Sequence, residues 1–251
     1  MEYQNPPLLG VFAETIESTG KIEFLAEYKH KDYLKSVGCR WDGKNKKWFL
    51  QYPTFDVLEK LAELGVIFSK TLEIEFQNKR FNSQCAKKAK VAGINDLPKL
   101  ESPISLYGHQ NKTSHFGMHK ESYADLSDCG TGKTISTLSV INHRLAENPK
   151  FKVLVLCPKS IIESSWVDDC HTAFPAIDIQ PVIGTFAKKA EQFAKDSSIY
   201  VTNYETLNQS FDFEGANLDM LVFDEAVRLK NPYAKWTKRA MKLANTVKHK
   251  I

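Results

Sequence analysis

Disulfide-forming and zinc-binding patterns are missing from this sequence. Its five cysteines, Cys39, Cys85, Cys129, Cys157 and Cys170, are an odd number with no C-x-x-C pair. That argues against both a disulfide framework and a zinc cluster, and it predicts reduced thiols. No apolar run approaches the roughly 20 residues of a membrane span, and the opening "MEYQNPPLLGVFAET" has neither the basic segment nor the apolar core of a leader. An excess of one charge is lacking too: 34 Lys and Arg stand against 30 Asp and Glu, and the net charge of +4 is too mild to demand a polyanionic partner. Where the charges cluster therefore matters more than their sum. There is no internal repeat and no low-complexity tract. What is plentiful is core-forming material, 42% of 251 residues being hydrophobic, enough for one large domain or a small one plus a medium one. These features predict a soluble, cytoplasmic protein without a membrane partner.

The chain changes character near residue 80. Before it, short elements predict a small α+β unit over residues 1–80: a strand at "KIEFLAEY", a helix at "HKDYLKSVG", a hairpin at "CRWDGKNKKWFLQY" turning at Asp42-Gly43 or just beyond, and an amphipathic helix at "TFDVLEKLAELG". Thr54 is the expected N-cap of that last helix and Gly65 its stop. The alternating "TLEIEF" reads as a further strand, and the polar, basic residues 81–101 as a linker with room for one short helix. Over residues 102–251, strands alternate with helices. "ESYADL", "KVLVLC", "SIYVT" and "LDMLVFD" are the expected strands, and the last three are continuous apolar runs, as befits a parallel α/β sheet covered by helices on both faces.

Between "YADL" and the helical "KTISTLSVINHRLAEN" lies "SDCGTGKT", residues Ser127, Asp128, Cys129, Gly130, Thr131, Gly132, Lys133 and Thr134. Strand, glycine-containing loop, lysine, hydroxyl and helix in that order make a phosphate-binding loop. Its glycines let backbone approach phosphates, the amides at the helix start point at negative charge, Lys133 brings a cation to the outer phosphates, and Thr134 can ligate magnesium. Ser127 stands where the pattern asks for a first glycine, at a loop entrance where a small residue suffices. Further on, an apolar strand ends in Asp224-Glu225, which puts two carboxylates at the carboxyl edge of the sheet. Asp224 is the expected magnesium ligand, and Glu225 the group that orients or activates an attacking water.

Taken together, "SDCGTGKT", "VLVLCPKSIIESSWVDDCHTAFP", "YVTNYETL" and "DEAVRLKN" resemble motifs I, Ia, Ib and II of superfamily-two helicases of the Swi/Snf type, related to DEAD/DEAH-like proteins. The resemblance implies a RecA-like, P-loop lobe of an ATP hydrolase that uses ATP and Mg2+ to move on duplex or branched DNA. It implies that Gln110 in "LYGHQ" reads the base edge of the nucleotide, and that Lys159, Ser160 and the Tyr204 loop meet DNA. "YLKSVGCRWDGKNKKWFLQ" is similar to the HARP-type module found beside annealing helicases and in related phage proteins, which implies a bacterial or phage setting, on the nucleoid or in the host cytoplasm. The residues point the same way. Lys29, Lys31, Lys35, Arg40, Lys44, Lys46 and Lys47 stand against Asp32 and Asp42, interleaved with Tyr33, Trp41 and Trp48, and cations with exposed rings suit nucleic acid. Trp41 and Trp48 serve equally well as the core of a small domain, which leaves Arg40 and Lys47 as the expected phosphate contacts.

Two departures qualify the resemblance. Val227 stands where the family usually has a histidine in motif II, and "NTVKHKI" ends where a last core strand leading to motif III would begin. The expectation is one motor lobe whose second lobe, or a partner chain, completes the ATP site, so that these residues alone hydrolyse ATP slowly or not at all. The alternative from another class is a non-catalytic DNA-binding or inhibitory protein that retains a nucleotide pocket.

Overall fold

A computed structural model describes residues 8, 10–16, 20–51, 53–209, 211, 213 and 216–251. The first residues of the opening segment and Tyr52, at the end of the expected hairpin, lie outside them. The chain divides into two units, Met1–Gln84 and Cys85–Ile251.

In the first unit, β1 (Phe12–Ile16) pairs antiparallel with β2 (Lys21–Leu25), which pairs with β4 (Lys47–Gln51), and β4 with β3 (Arg40–Asp42). A short β5 (Ile67–Phe68) runs parallel to β1, giving the order β3-β4-β2-β1-β5. Helix α1 (Lys31–Ser36) precedes the hairpin and α2 (Phe55–Glu63) follows it. The β3–β4 turn forms because the Asp42 carboxylate accepts the N–H groups of Asn45 at 3.1 Å and Lys44 at 3.0 Å, while Lys46 takes the left-handed conformation that closes it. The backbone and side chain of Asn45 hold the Asp42 carboxyl below its usual range. Helix α2 buries Leu58 and Leu61, one face of a 3.6-residue period, and Gly65 at φ 89° ends it. Thr54 occupies the N-cap position with extended backbone, although its hydroxyl makes no capping bond.

The expected strand "TLEIEF" and most of the expected linker are instead one helix, α3 (Lys70–Val91). The alternation misleads because Leu72 and Phe76, four apart, are the residues buried in the first unit's core. Neither proline nor glycine interrupts residues 70–91, which are rich in strong helix formers. The rest of the expected linker is also anchored: the Asn111 side chain accepts the Leu100 N–H and donates to the Pro98 carbonyl, both at 3.0 Å.

The second unit is a five-stranded, all-parallel sheet in the order β10-β9-β6-β8-β7. Its strands are β6 (Val153–Cys157), β7 (Ile179–Pro181), β8 (Ile199–Asn203), β9 (Met220–Phe223) and β10 (His249–Lys250), with helices α4 (Gly108–Met118), α5 (Lys133–Glu147), α6 (Asp168–Ala173), α7 (Phe186–Phe193) and α8 (Lys235–Ala244). The continuous apolar runs follow from burial on both faces. Val153 and Val155 pack with Leu138, Ile141, Trp166 and Phe174 on one side. Leu154 and Leu156 pack with Leu207, Ala240 and Leu243 on the other. Residues 121–126, expected as a strand, contribute a single bridge, Ser122 to Lys250, beside the two-residue β10. The final residues already belong to the sheet: Ile251 donates to Leu221 and its carbonyl accepts from Phe223. No helix among the described residues is long and apolar enough to cross a membrane.

Candidate nucleotide-binding site

From β6 the chain crosses to β7 and β8 on one side and returns to β9 on the other, so connections leave the carboxyl ends of β6 and β9 in opposite directions. Such a point opens a crevice at the sheet edge. The loop 127–132 and the residues after β9 meet there, around a cleft of about 570 Å³ lined by Ser127, Cys129, Lys133, Thr134, Asp224 and Glu225, together with Trp166, Val227 and Met241.

The loop is held by its own side chains. Gly130 and Gly132 adopt φ 79° and 78°, and Gly132 is the N-cap of α5. A side chain at Gly132 would collide with the Gln110 amide. Ser127 needs no left-handed backbone, so a serine is conformationally free to replace the first glycine. It is fixed through Asp125, whose carboxylate accepts both its N–H at 3.0 Å and its hydroxyl at 2.6 Å. Sequence reasoning misses Asp125, although an aspartate two residues before a loop serine is an ordinary turn signal. The Thr131 hydroxyl donates to the Asp128 carbonyl at 2.8 Å, and Lys133 Nζ donates to the carbonyls of Ser127 at 2.8 Å and Asp128 at 3.0 Å. The loop is therefore wrapped around its own lysine.

Gln110 sits against this loop. It is 5% exposed, its Oε1 accepts the Tyr107 N–H at 3.0 Å at the start of α4, and its Nε2 donates to the Thr131 carbonyl at 3.3 Å. Each end of the amide thus makes one bond to the protein, and through the two the residue braces the loop.

At the end of β9, Asp224 N–H continues the ladder to Leu156 O at 2.9 Å. Its Oδ2 accepts the Trp166 indole N–H at 2.9 Å, and its carbonyl accepts the Tyr204 hydroxyl at 2.8 Å. Tyr204 is 1% exposed. The expected DNA contact at this residue is thus corrected: its ring is core, burial pushes its phenol up, and its hydroxyl steadies the backbone of Asp224. Glu225 is exposed and left-handed at φ 54°, a conformation that costs a non-glycine residue about 1–2 kcal/mol and that clusters at functional sites. Arg228 pairs with Glu205 at 3.5 Å. Lys189 on α7, which nothing in its local sequence singles out, is buried and donates to Asn203 Oδ1 at 3.0 Å and Thr206 Oγ1 at 2.6 Å. Burial pushes its ammonium down, and it fixes the turn that carries Tyr204. Lys159 and Ser160 are exposed on the short turn after β6.

In the first unit Arg40 is exposed and has no ion-pair partner among the described residues. Lys47 differs: its Nζ lies 2.7 Å from Glu23 Oε2, and Lys47 and then Lys21 hold the Glu23 carboxyl below its usual range. The pair is part-exposed, so a phosphate reaching Lys47 would compete with Glu23, whereas no carboxylate competes at Arg40 among the described residues. The two tryptophans part ways as well. Trp48 is buried, while Trp41 stays 52% exposed with its ring edge-on to Trp48 at 5.4 Å.

A family model described as the SNF2-related domain matches residues 124–250, from the strand-edge segment before the phosphate loop to β10. The chain belongs to the SNF2-related domain family. Its curated relatives include the SWI/SNF-related matrix-associated actin-dependent regulator of chromatin subfamily A-like protein 1 homolog of Caenorhabditis elegans, 22% identical over 92% of this chain and 34% of the relative. Another is Switch 2 of Arabidopsis thaliana, 26% identical over 58% of this chain and 19% of that protein. The chain thus spans about a third of the longer-matched relative. Among solved structures, the Sulfolobus solfataricus SWI2/SNF2 ATPase core in complex with dsDNA shares the fold, with a TM-score of 0.54 and 24% identity over 62% of this chain and 33% of that one. Apart from Ile251, the residues lining the cleft all lie within the SNF2-related domain.

Proposed function

We propose that the SNF2-related domain of this chain is the Mg-ATP-binding core of a DNA-dependent ATPase that acts on duplex or branched DNA, and that the Met1–Gln84 unit adds a HARP-like DNA contact. The observation that carries the reading is the convergence of the Lys133 ammonium, the Thr134 hydroxyl and the Asp224 and Glu225 carboxylates on one cleft. A cleft with one hydroxyl and one fixed carboxylate suits magnesium, which takes few protein ligands and fills its shell with water and phosphate oxygens. Thr134 and Asp224 would hold the ion, which, when bound, neutralises charge on the transferring phosphate. Lys133 exchanges the Ser127 and Asp128 carbonyls for the outer phosphates, the amides at the start of α5 receive phosphate oxygens, and Glu225 orients the attacking water. Duplex DNA, the ligand named for the Sulfolobus core, is taken to lie on Lys159 and Ser160 here, with Arg40 and the half-exposed Trp41 contributing from the first unit.

Phosphoryl transfer of this kind gains about 10³ to 10⁵ in rate from an arginine delivered to the leaving phosphate. Among the described residues no arginine lines the cleft. Residues 1–251 by themselves are accordingly expected to bind Mg-ATP but to hydrolyse it near the background rate, the arginine coming from a facing domain or partner chain. Val227, apolar and 62% exposed at the cleft where the family resemblance calls for histidine, favours a second reading in which the pocket is kept for binding alone. Phosphate release with and without duplex and forked DNA, with Glu225→Gln as the blank, tests the assignment. DNA-stimulated release that disappears in Glu225→Gln would make this chain a complete enzyme and refute the need for an external arginine; failure to bind Mg-ATP at all would remove both readings.

A further inference from the structure

After β6 the chain passes through the turn Lys159–Ile161 into a single stretch of π-helix, Ile162–Val167, before α6 begins. π-helical turns are rare overall and frequent at functional sites. Here two consecutive side chains of the turn reach two separate groups. Ser165 Oγ lies 3.2 Å from Thr134 Oγ1, and Trp166 Nε1 donates to Asp224 Oδ2 at 2.9 Å. Those are the hydroxyl and the carboxylate proposed to hold magnesium. Trp166 is 1% exposed, so its N–H must find its partner inside the protein, and the carboxylate keeps Oδ1 for a cation.

We infer that Ser165 and Trp166 are positioning residues for the magnesium site, and that the π-helical turn sets the direction of both metal-binding oxygens. The inference rests on the reading of Thr134 and Asp224 as magnesium ligands. A carboxylate on a strand end can rotate about its last bond, and a threonine hydroxyl can swing between rotamers. A fixed indole N–H on one oxygen and a serine hydroxyl beside the other group remove that freedom before the ion arrives. Partners behind a metal's direct ligands commonly set its affinity, and losing one costs about 10- to 100-fold. The competing account is that a buried tryptophan satisfies its N–H at the nearest acceptor and contributes only packing. The two differ in what they do to magnesium specifically.

The test uses the whole chain and a fluorescent ADP, titrated once in magnesium and once in EDTA, for the unaltered protein, Trp166→Phe and Ser165→Ala. The quantity read is the ratio of the two affinities. Trp166→Phe is expected to shrink the magnesium-dependent gain about tenfold or more with the EDTA affinity unchanged, and excess magnesium should restore binding. Ser165→Ala should act in the same direction to a smaller extent; it sits at a partly exposed site and carries the test where Trp166→Phe does not fold. Equal weakening in both arms would assign the pair to packing and overturn the inference, as would an unchanged ratio in both variants. An unaltered chain that binds ADP in neither arm would remove the nucleotide reading itself, a result distinct from variants that match a binding parent.

Discussion

Replacing Lys133 by alanine tests the phosphate loop most directly, and its size can be worked from the loop's own bonds. In the structure the ammonium is not idle: it donates to the carbonyls of Ser127 and Asp128 at 2.8 and 3.0 Å. A phosphate must therefore draw it from partners it already has. The two carbonyl contacts are themselves charge-assisted and offset much of the gain, so what the lysine adds to phosphate binding is about one net charged contact, roughly 1.5–3 kcal/mol. Lys133→Ala should accordingly weaken Mg-ADP about 10- to 150-fold, at about 1.4 kcal/mol per factor of ten. A fluorescent ADP titration of both proteins measures it, with circular dichroism confirming that the variant folds. The same substitution unties the loop, so proteolysis near Cys129 should quicken in the variant without nucleotide. Equal affinities would refute the assignment of residues 127–134 to phosphate; a weakening accompanied by an unfolded circular dichroism spectrum would not count for it.

Three further expectations separate the parts of the molecule. Cys129 is an exposed thiol on the wall of the cleft, so bound ADP should slow its alkylation as read by mass spectrometry, and an unaltered rate would put the thiol outside the occupied site. Arg40→Ala should lower the salt slope of DNA binding by about 0.9 for each phosphate that the arginine neutralises, and Lys47→Ala should lower it less because Lys47 is paired with Glu23; equal effects would refute that distinction. Burial, with Arg144 and Lys248 nearby, pulls the His249 imidazole from 6.5 to about 4, so the unfolded chain takes up its proton first as pH falls. The stability of the Cys85–Ile251 unit should then be full above pH 6.5 and decline toward pH 4, by up to about 3 kcal/mol, and a His249→Phe unfolding series in urea that keeps the same decline would show that another group is responsible.

What is legible in the sequence is legible for local reasons. A loop that turns twice through the left-handed region requires glycine at set positions, and a strand buried on both faces must be apolar throughout, so "SDCGTGKT" and "LDMLVFD" announce themselves one segment at a time. The failures all require a partner distant in sequence. Leu72 and Phe76 fit a strand or a helix until the core they enter is known. Residues 121–126 look like a strand, but pairing depends on a neighbour, and β10 offers only two residues. Tyr204 lies in a segment that resembles a DNA-contacting motif, yet its ring is buried and the backbone of Asp224 takes its hydroxyl. Lys189 stays invisible because a lysine in a helix reads as solvated unless the turn it supports is in view.

That pattern bears on Val227. A histidine at this place in motif II would offer a hydrogen bond joining the nucleotide site to what faces it, and valine cannot. The ties that hold Asp224, however, do not pass through residue 227. The carboxylate is fixed from the β6 side by Trp166, the carbonyl from the β8 side by Tyr204, and the stretch beyond is fastened to the Tyr204 turn by the Glu205–Arg228 pair. Valine at the exposed lip of the cleft leaves that frame intact, so under the proposed function its cost falls on communication with a facing surface and not on the placement of Asp224. The proposed binding role of the pocket and the proposed coupling role of the surface at Val227 are therefore separable. Retention of Lys133, Thr134, Asp224 and Glu225 argues for the first, and the second depends on what meets Val227.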